Sequence, residues 1–162
     1  NIGGAIETAS WKNTPDAILL AWQCGQEGGN TVADVLAGKV NPSGKLNETW
    51  PLSLADTPCN AYFPGTRKNC EYREGLFVGY RYFETFAPEK VAYPFGFGLG
   101  YTTFSLQTQA AVMEKNTVKL TFTVENTGSY KGKEVVQAYL TAPQGKLGKA
   151  HKVLCAFGKT KE

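Results

Sequence analysis

Residues 25–46 read GQEGGNTVADVLAGKVNPSGKL, and this stretch decides how the first part of the chain folds. Directly before it, residues 16–22 (DAILLAW) form an apolar run, which is the pattern of a strand buried on both faces of a parallel sheet. Asn30 is placed to cap a helix over residues 31–37, and Gly38 is placed to end it. The sequence therefore predicts a strand, a glycine-rich turn and a helix.

The sequence patterns that predict secondary structure are weaker in residues 45–100. Residues 45–52 (KLNETWPL) alternate imperfectly and contain Pro51, which predicts a short edge strand that closes an α/β layer. Residues 55–100 have no helical period, and their glycine, proline and aromatic content predicts a long ordered connection. Within it, Leu76 to Phe83 is a candidate strand.

From Thr102 the apolar residues recur with a period of two, as in strands that bury one face. Turn-forming residues fill 114–116 and 126–132, which suits an antiparallel β-sandwich. The predicted fold class is α/β followed by all-β, and the predicted strands cover residues 104–106, 118–124, 135–140 and 153–157.

Both predicted layers are incomplete. A parallel strand needs neighbours on each side to satisfy its backbone groups, so we expect more strands before Asn1. A sandwich of the immunoglobulin or fibronectin kind takes about 100 residues and about seven strands. The chain reaches Lys161 and Glu162 where a fifth strand should begin, so most of a second sheet is expected to be missing.

Composition and charge exclude several classes of protein. The net charge is only +3, and lysine and arginine are scattered along the sequence instead of forming a basic stripe, so we expect no nucleic-acid partner. The longest apolar run, residues 17–22, is far shorter than the roughly 20 residues that cross a bilayer, so we expect no membrane partner. No signal peptide is visible, which predicts that any leader was removed or lies upstream.

The chain has four cysteines and one histidine, His151, without the spacing of a zinc site, so we expect no metal and no cofactor. Cys59 and Cys70 flank a turn-rich loop and can close it with a disulfide worth about 3 kcal/mol in an oxidising compartment. Two unrelated thiols are the alternative. Asn47 begins an Asn-Glu-Thr sequon and is a candidate glycosylation site.

Several motifs together resemble glycoside hydrolase family 3 of the β-glucosidase type. They are the opening stretch followed by TWP, then REGLFVGYRYF, YPFGFGLGYTTF and TVENTGSYKGKEVVQAYLTAP. The resemblance implies that residues 1–54 are the C-terminal part of an α/β sandwich domain and residues 55–101 a connecting segment. Residues 102–162 would then be the N-terminal part of a fibronectin type III-like domain, so the end of an α/β sandwich layer joins an incomplete β-sandwich.

The same resemblance implies hydrolysis of a β-linked oligosaccharide or glucoside with retention, by two carboxylates about 5 to 5.5 Å apart. In that family the nucleophile is an Asp of the first domain and the acid/base is usually a Glu upstream of the strand that residues 16–22 resemble. We therefore predict no catalytic residue in this chain, and that it is inactive without its N-terminal catalytic domain.

Two carboxylates beside glycines have structural explanations. Glu27 can cap or complement the dipole of the predicted helix. Glu74 can pair with Arg73 or Arg81. The glycines Gly25, Gly28 and Gly29 can cradle an anion, but they lack the phosphate-loop pattern and its lysine, so a tight turn suffices.

Five aromatic residues could either pack between domains or stack on a sugar ring, and we favour packing between domains. They are Trp50, Tyr62, Phe63, Tyr80 and Tyr82. The sequence does not identify the residues that bind the substrate.

The alternatives to a β-glucosidase portion are a non-catalytic, carbohydrate-associated or interaction module, or part of a β-xylosidase of the same family. We expect a secreted or periplasmic protein, and an isolated chain that dimerises, exchanges strands or aggregates through its uncovered apolar face. The sequence departs from the family pattern at Cys24 and Cys155, at the Cys59 to Cys70 loop, and at Asn47, where proline is more usual.

Overall fold

The structure, a computed structural model, describes residues 2–161. Within these residues strands outnumber helices, and short 3-10 turns cover Leu54–Asp56 and Pro88–Lys90. The elements are α1 (Gly28–Leu36), β1 (Trp50–Pro51), α2 (Tyr80–Phe86), β2 (Val91–Tyr93), β3 (Phe104–Glu114), β4 (Thr117–Asn126), β5 (Val135–Leu140) and β6 (Val153–Lys159).

The four strands predicted after Thr102 are confirmed. Strands β3 and β4 form an antiparallel hairpin that pairs Phe104 with Asn126 and Glu114 with Thr117. Its turn includes Lys115, whose φ of 55° lies in the left-handed region that tight hairpin turns require. Strands β5 and β6 form a second antiparallel pair, so this part of the chain consists of two separate two-stranded sheets.

Helix α1 is confirmed with a different start. Asn30 was predicted as the N-cap, but the helix begins at Gly28 and its N-cap is Glu27. The prediction was wrong because the Thr31 amide already donates to the Glu27 carbonyl, over 3.0 Å, so the helical bonds start earlier. Gly38 ends the helix as predicted: its φ is 71° and its amide donates to the Val35 carbonyl.

The predicted strand at residues 16–22 is not formed. These residues have no regular secondary structure, and Ile18 is 42% exposed. The physical reason is that no strand within residues 2–161 pairs with them, and an unpaired run cannot satisfy a sheet's backbone hydrogen bonds.

The predicted strand at residues 76–83 is also wrong. Helix α2 occupies Tyr80–Phe86 instead, with Phe83 as its buried residue. Its aromatic residues favour a strand by propensity alone, but packing of the Phe83 ring into the core decides the local structure.

The edge strand predicted at residues 45–52 is shorter than expected. It is β1, which covers only Trp50 and Pro51 and pairs antiparallel with β2. Before it, Leu46 donates its amide to the Phe97 carbonyl and accepts from the Gly96 amide, both over 2.7 Å. These bonds hold the segment before β1 against residues 96 and 97.

Asn41 joins three parts of the chain. Its side-chain amide donates to the Lys131 carbonyl over 2.9 Å, and its side-chain oxygen accepts from the Tyr101 amide over 2.8 Å. Nearby, the half-buried Lys45 ammonium lies 2.8 Å from the Glu134 carboxylate. The turn after α1 is therefore tied both to residues 98–101 and to the segment that leads into β5.

Candidate functional site

Trp50 is the centre of an aromatic cluster that includes Trp22, Tyr93 and Phe97. Only 4% of Trp50 is exposed. Its ring centroid lies 6.5 Å from that of Trp22 and 6.2 Å from that of Tyr93, both edge to face, and Tyr93 lies 5.1 Å from Phe97. Because Trp50 is enclosed, it packs against the neighbouring rings and offers no face to a sugar.

Tyr80 and Tyr82 also pack. Tyr80 stacks on Phe95 with centroids 4.6 Å apart, and its hydroxyl accepts from the Leu154 amide over 2.8 Å. Tyr82 contacts Phe83 and Phe86 within α2. Tyr80 therefore fixes the helix against the β5 and β6 pair, because its ring also meets Tyr139 with centroids 6.2 Å apart, whereas Tyr82 packs within the helix.

Tyr62 and Phe63 lie apart from this core, on the loop between the two middle cysteines. Phe63 is 71% exposed, and the Arg73 guanidinium lies over the Tyr62 ring at 5.7 Å. Partial burial raises the pKa of Tyr62, and the neighbouring Glu74 carboxylate adds to the rise. The predicted ion pair of Glu74 with Arg73 or Arg81 is wrong, because Arg73 pairs with Glu71 and the Arg81 guanidinium lies over the Tyr80 ring at 5.9 Å.

Glu27 stands at the start of α1, where a carboxylate is stabilised by the helix dipole. It makes no side-chain cap to the backbone, but its carboxylate accepts from the Asn30 side-chain amide (Nδ2) over 2.6 Å. The glycines beside it form a turn in which the Gly28 amide donates to the Gly25 carbonyl over 3.0 Å. A Cβ on Gly28 would overlap Cys24, whereas Gly25 and Gly29 face open space, so a tight turn explains this loop.

Two further pKa shifts have local causes. Partial burial raises the pKa of Tyr139, and the nearby Tyr80 and Glu84 add to the rise. The hydrogen bond from Lys90 to Asp56, 2.8 Å long, raises the pKa of that lysine. Both shifts come from packing or from a surface ion pair, so they do not identify a catalytic acid or base.

No group of three or more histidine, cysteine, aspartate and glutamate side chains within residues 2–161 is placed to hold a metal ion. In the same part of the chain, no helix has the length and apolar character needed to span a bilayer. Asn47 lies in an exposed bend, while Thr49 of the same sequon is only 7% exposed. Glycosylation of Asn47 stays a prediction.

All four cysteines are free thiols in the structure, with Cys59 half-buried and Cys70 exposed. The bridge between these two stays a prediction for the protein in an oxidising compartment. We expect alkylation of the oxidised protein without reductant to leave Cys59 and Cys70 unmodified while Cys24 and Cys155, both exposed, react. Mass spectrometry of the peptides checks this, and alkylation of all four would remove the bridge.

The role of Asn41 was not identified from the sequence. The residue makes contacts with positions 101 and 131, far along the chain, so the local Asn-Pro-Ser-Gly pattern carries no signal of them. Together with Lys45, Asn41 ties the turn after α1 to the segments that lead into β3 and β5.

Comparison with known proteins identifies the family. Residues 1–101 match the glycosyl hydrolase family 3 C-terminal domain. The chain therefore belongs to glycoside hydrolase family 3.

Three relatives illustrate the match. β-Glucosidase A of Butyrivibrio fibrisolvens is 44% identical, with 99% of this chain and 22% of that protein covered. An exo-α-(1→6)-L-arabinopyranosidase of Bifidobacterium longum is 40% identical over 97% of this chain and 21% of its own length. The structure of β-glucosidase 3B from Thermotoga neapolitana in complex with glucose is 46% identical, with a TM-score of 0.92, and 99% of this chain and 23% of that chain are covered. The chain thus spans about a fifth of the length of these relatives.

Proposed function

We propose that this chain is the C-terminal portion of a retaining β-glucosidase that releases terminal β-D-glucose from the non-reducing ends of oligosaccharides and glucosides. The observation that carries the proposal is the likeness to the Thermotoga neapolitana β-glucosidase structure over nearly all of this chain. In this proposal the β-linked substrate reaches the enzyme through an N-terminal catalytic domain outside these residues.

The role of this portion is structural. The Glu27 carboxylate has a local partner, since it accepts from the Asn30 side-chain amide, and the Glu74 carboxylate helps to raise the pKa of Tyr62. Most of the aromatic rings that could stack on a sugar instead pack against other segments of the chain. Trp50, which is enclosed and contacts Trp22, is an example. A portion built in this way braces an active site and supplies neither its nucleophile nor its acid/base.

The proposed organisation places residues 1–54 at the end of an α/β sandwich domain and residues 102–162 at the start of a fibronectin type III-like domain, with residues 55–101 between them. Two observations support it: the β3–β4 and β5–β6 pairs are antiparallel, and Phe157 on β6 is 75% exposed, as an apolar face would be before further strands cover it. We further propose secretion or a periplasmic location, which an oxidised Cys59–Cys70 pair would support.

The sequence of this portion does not by itself determine which sugar the whole enzyme removes. The Bifidobacterium longum relative is an arabinopyranosidase, yet it is nearly as similar to this chain as the β-glucosidase of Butyrivibrio fibrisolvens. Proteins with different sugar specificities therefore share this portion, so the glucose assignment has to be tested on the whole polypeptide.

The test compares the 162-residue chain with a longer polypeptide from the same source that contains it. On an aryl β-glucoside we expect the longer polypeptide to turn over and the chain alone to give only the rate seen without protein. Clear turnover by the chain alone would show that it holds its own catalytic carboxylates. A longer polypeptide that cleaves the aryl β-xyloside or α-L-arabinopyranoside and not the glucoside would contradict the proposed substrate.

A further inference from the structure

A cavity of about 530 Å³ lies where the turn after α1 meets the segment before β5 and the end of β6. Four lysine side chains line it, together with polar groups and one aromatic ring, and no carboxylate is among the lining residues. We call it the lysine cavity; the residues that matter here are Lys39, Lys131, Lys133, Lys159, Ser43 and Tyr130.

The lysine cavity brings ammonium groups without carboxylate partners together around one site. Elsewhere within residues 2–161, Lys45, Lys90 and Lys152 each have a carboxylate partner within 2.9 Å, and other unpaired lysines such as Lys68 and Lys119 lie outside the cavity. In the cavity only Lys39 has one, Asp34, at 3.2 Å, and no carboxylate within residues 2–161 pairs with the other three lysines. Several uncompensated ammonium groups around one concave site create a local positive potential that favours an anion.

The other residues that line the cavity indicate which chemical class of anion it binds. Tyr130 is 54% exposed, and its ring meets Tyr101 at 6.4 Å with an angle of 61°, so one edge is fixed while much of the ring stays accessible. An accessible, oriented aromatic ring can pack against a sugar ring. Ser43 adds a hydroxyl that can donate to or accept from a sugar hydroxyl. A ring with hydroxyl groups and a carboxylate combines all three features.

We propose that the lysine cavity binds a carboxylate-bearing oligosaccharide, that is, a glycan containing uronic acid. The ammonium groups of Lys131, Lys133 and Lys159 bind the carboxylates, and the Tyr130 ring packs against a sugar ring. The inference depends on the proposed function only in that a glycosidase works among glycans.

The test is calorimetric titration of the 162-residue chain with trigalacturonate, and with cellotriose as a neutral oligosaccharide of equal length. We expect binding of trigalacturonate and none of cellotriose at the same concentrations. Changing Lys131, Lys133 and Lys159 together to glutamine should weaken trigalacturonate binding about tenfold, since each exposed charge contact contributes modestly. Raising the salt concentration from about 10 mM to about 150 mM should also weaken it.

The matched control changes Lys68, Lys119 and Lys146 to glutamine, which removes the same charge at exposed positions away from the cavity. We expect this control variant to weaken trigalacturonate binding less than about twofold. Tyr130→Ala should weaken trigalacturonate binding several-fold and leave inorganic phosphate binding unchanged. Equal losses in both triple variants, or phosphate binding as tight as that of trigalacturonate, would overturn the proposal. The readout is binding, so its failure is separate from any failure of the glucosidase assay.

Discussion

Trp50→Ala is expected to lower the free energy of unfolding by about 3 to 5 kcal/mol, a large loss for a single side chain. Trp50 is among the few large side chains of the described residues that are almost fully enclosed, and it contacts Trp22 and Tyr93 in edge-to-face geometry. Removing the indole takes away both aromatic contacts and leaves a cavity that β1, only two residues long, cannot collapse to fill.

Two variants separate packing from other effects. Within residues 2–161 the Trp50 indole N–H has no hydrogen-bond acceptor, so Trp50→Phe removes an unsatisfied donor and keeps an aromatic ring. We expect it to cost less than about 1.5 kcal/mol. Leu52→Ala, next to β1 but 38% exposed, should cost about 1 kcal/mol or less. Urea denaturation with an unchanged m-value checks all three, and a loss below about 1 kcal/mol for Trp50→Ala would refute the central role of this ring.

The predictions that succeeded depend on residues close together in the sequence. The hairpin of β3 and β4 follows from a period of two and a tight turn, and Gly38 ends α1 because a left-handed residue is needed directly after the helix. Both signals are complete within a few residues. The family could likewise be identified from the sequence, because its motifs occur in order along nearly the whole chain.

The predictions that failed depend on partners elsewhere. Residues 16–22 have the composition of a buried strand, but a strand forms only where neighbouring strands take its backbone bonds. The α2 segment has strand-like aromatics, yet packing of Phe83 in the core makes it a helix.

The lysine cavity could not be predicted for a related reason. Its lysines come from positions 39 to 159 and looked scattered along the sequence. Only the meeting of the turn after α1, the segment before β5 and the end of β6 brings them around one site.

Gly98→Ala is expected to lower the free energy of unfolding by about 2 to 3 kcal/mol, because the added methyl group has no room. A Cβ at this position would overlap the backbone carbonyl oxygen of Gly44 and lie 3.0 Å from Cδ of Lys45. A backbone atom cannot turn aside as a side chain can. Two backbones would have to separate, and with them the half-buried bonds of Lys45 to Gly98 and to Glu134, which are 2.9 and 2.8 Å long.

The matched control lies on the other side of the same contact. A Cβ on Gly44 meets nothing within 4 Å, and its φ is not in the left-handed region. Gly44→Ala should therefore leave stability unchanged or raise it by up to about 1 kcal/mol, by restricting the unfolded chain. Thermal and urea unfolding of both variants measure the difference. If both variants change the free energy of unfolding equally, the contact between residues 44 and 98 does not determine how closely these two segments pack. If only Gly98→Ala is less stable, close backbone packing fixes the turn after α1 against the segment that leads into the strands.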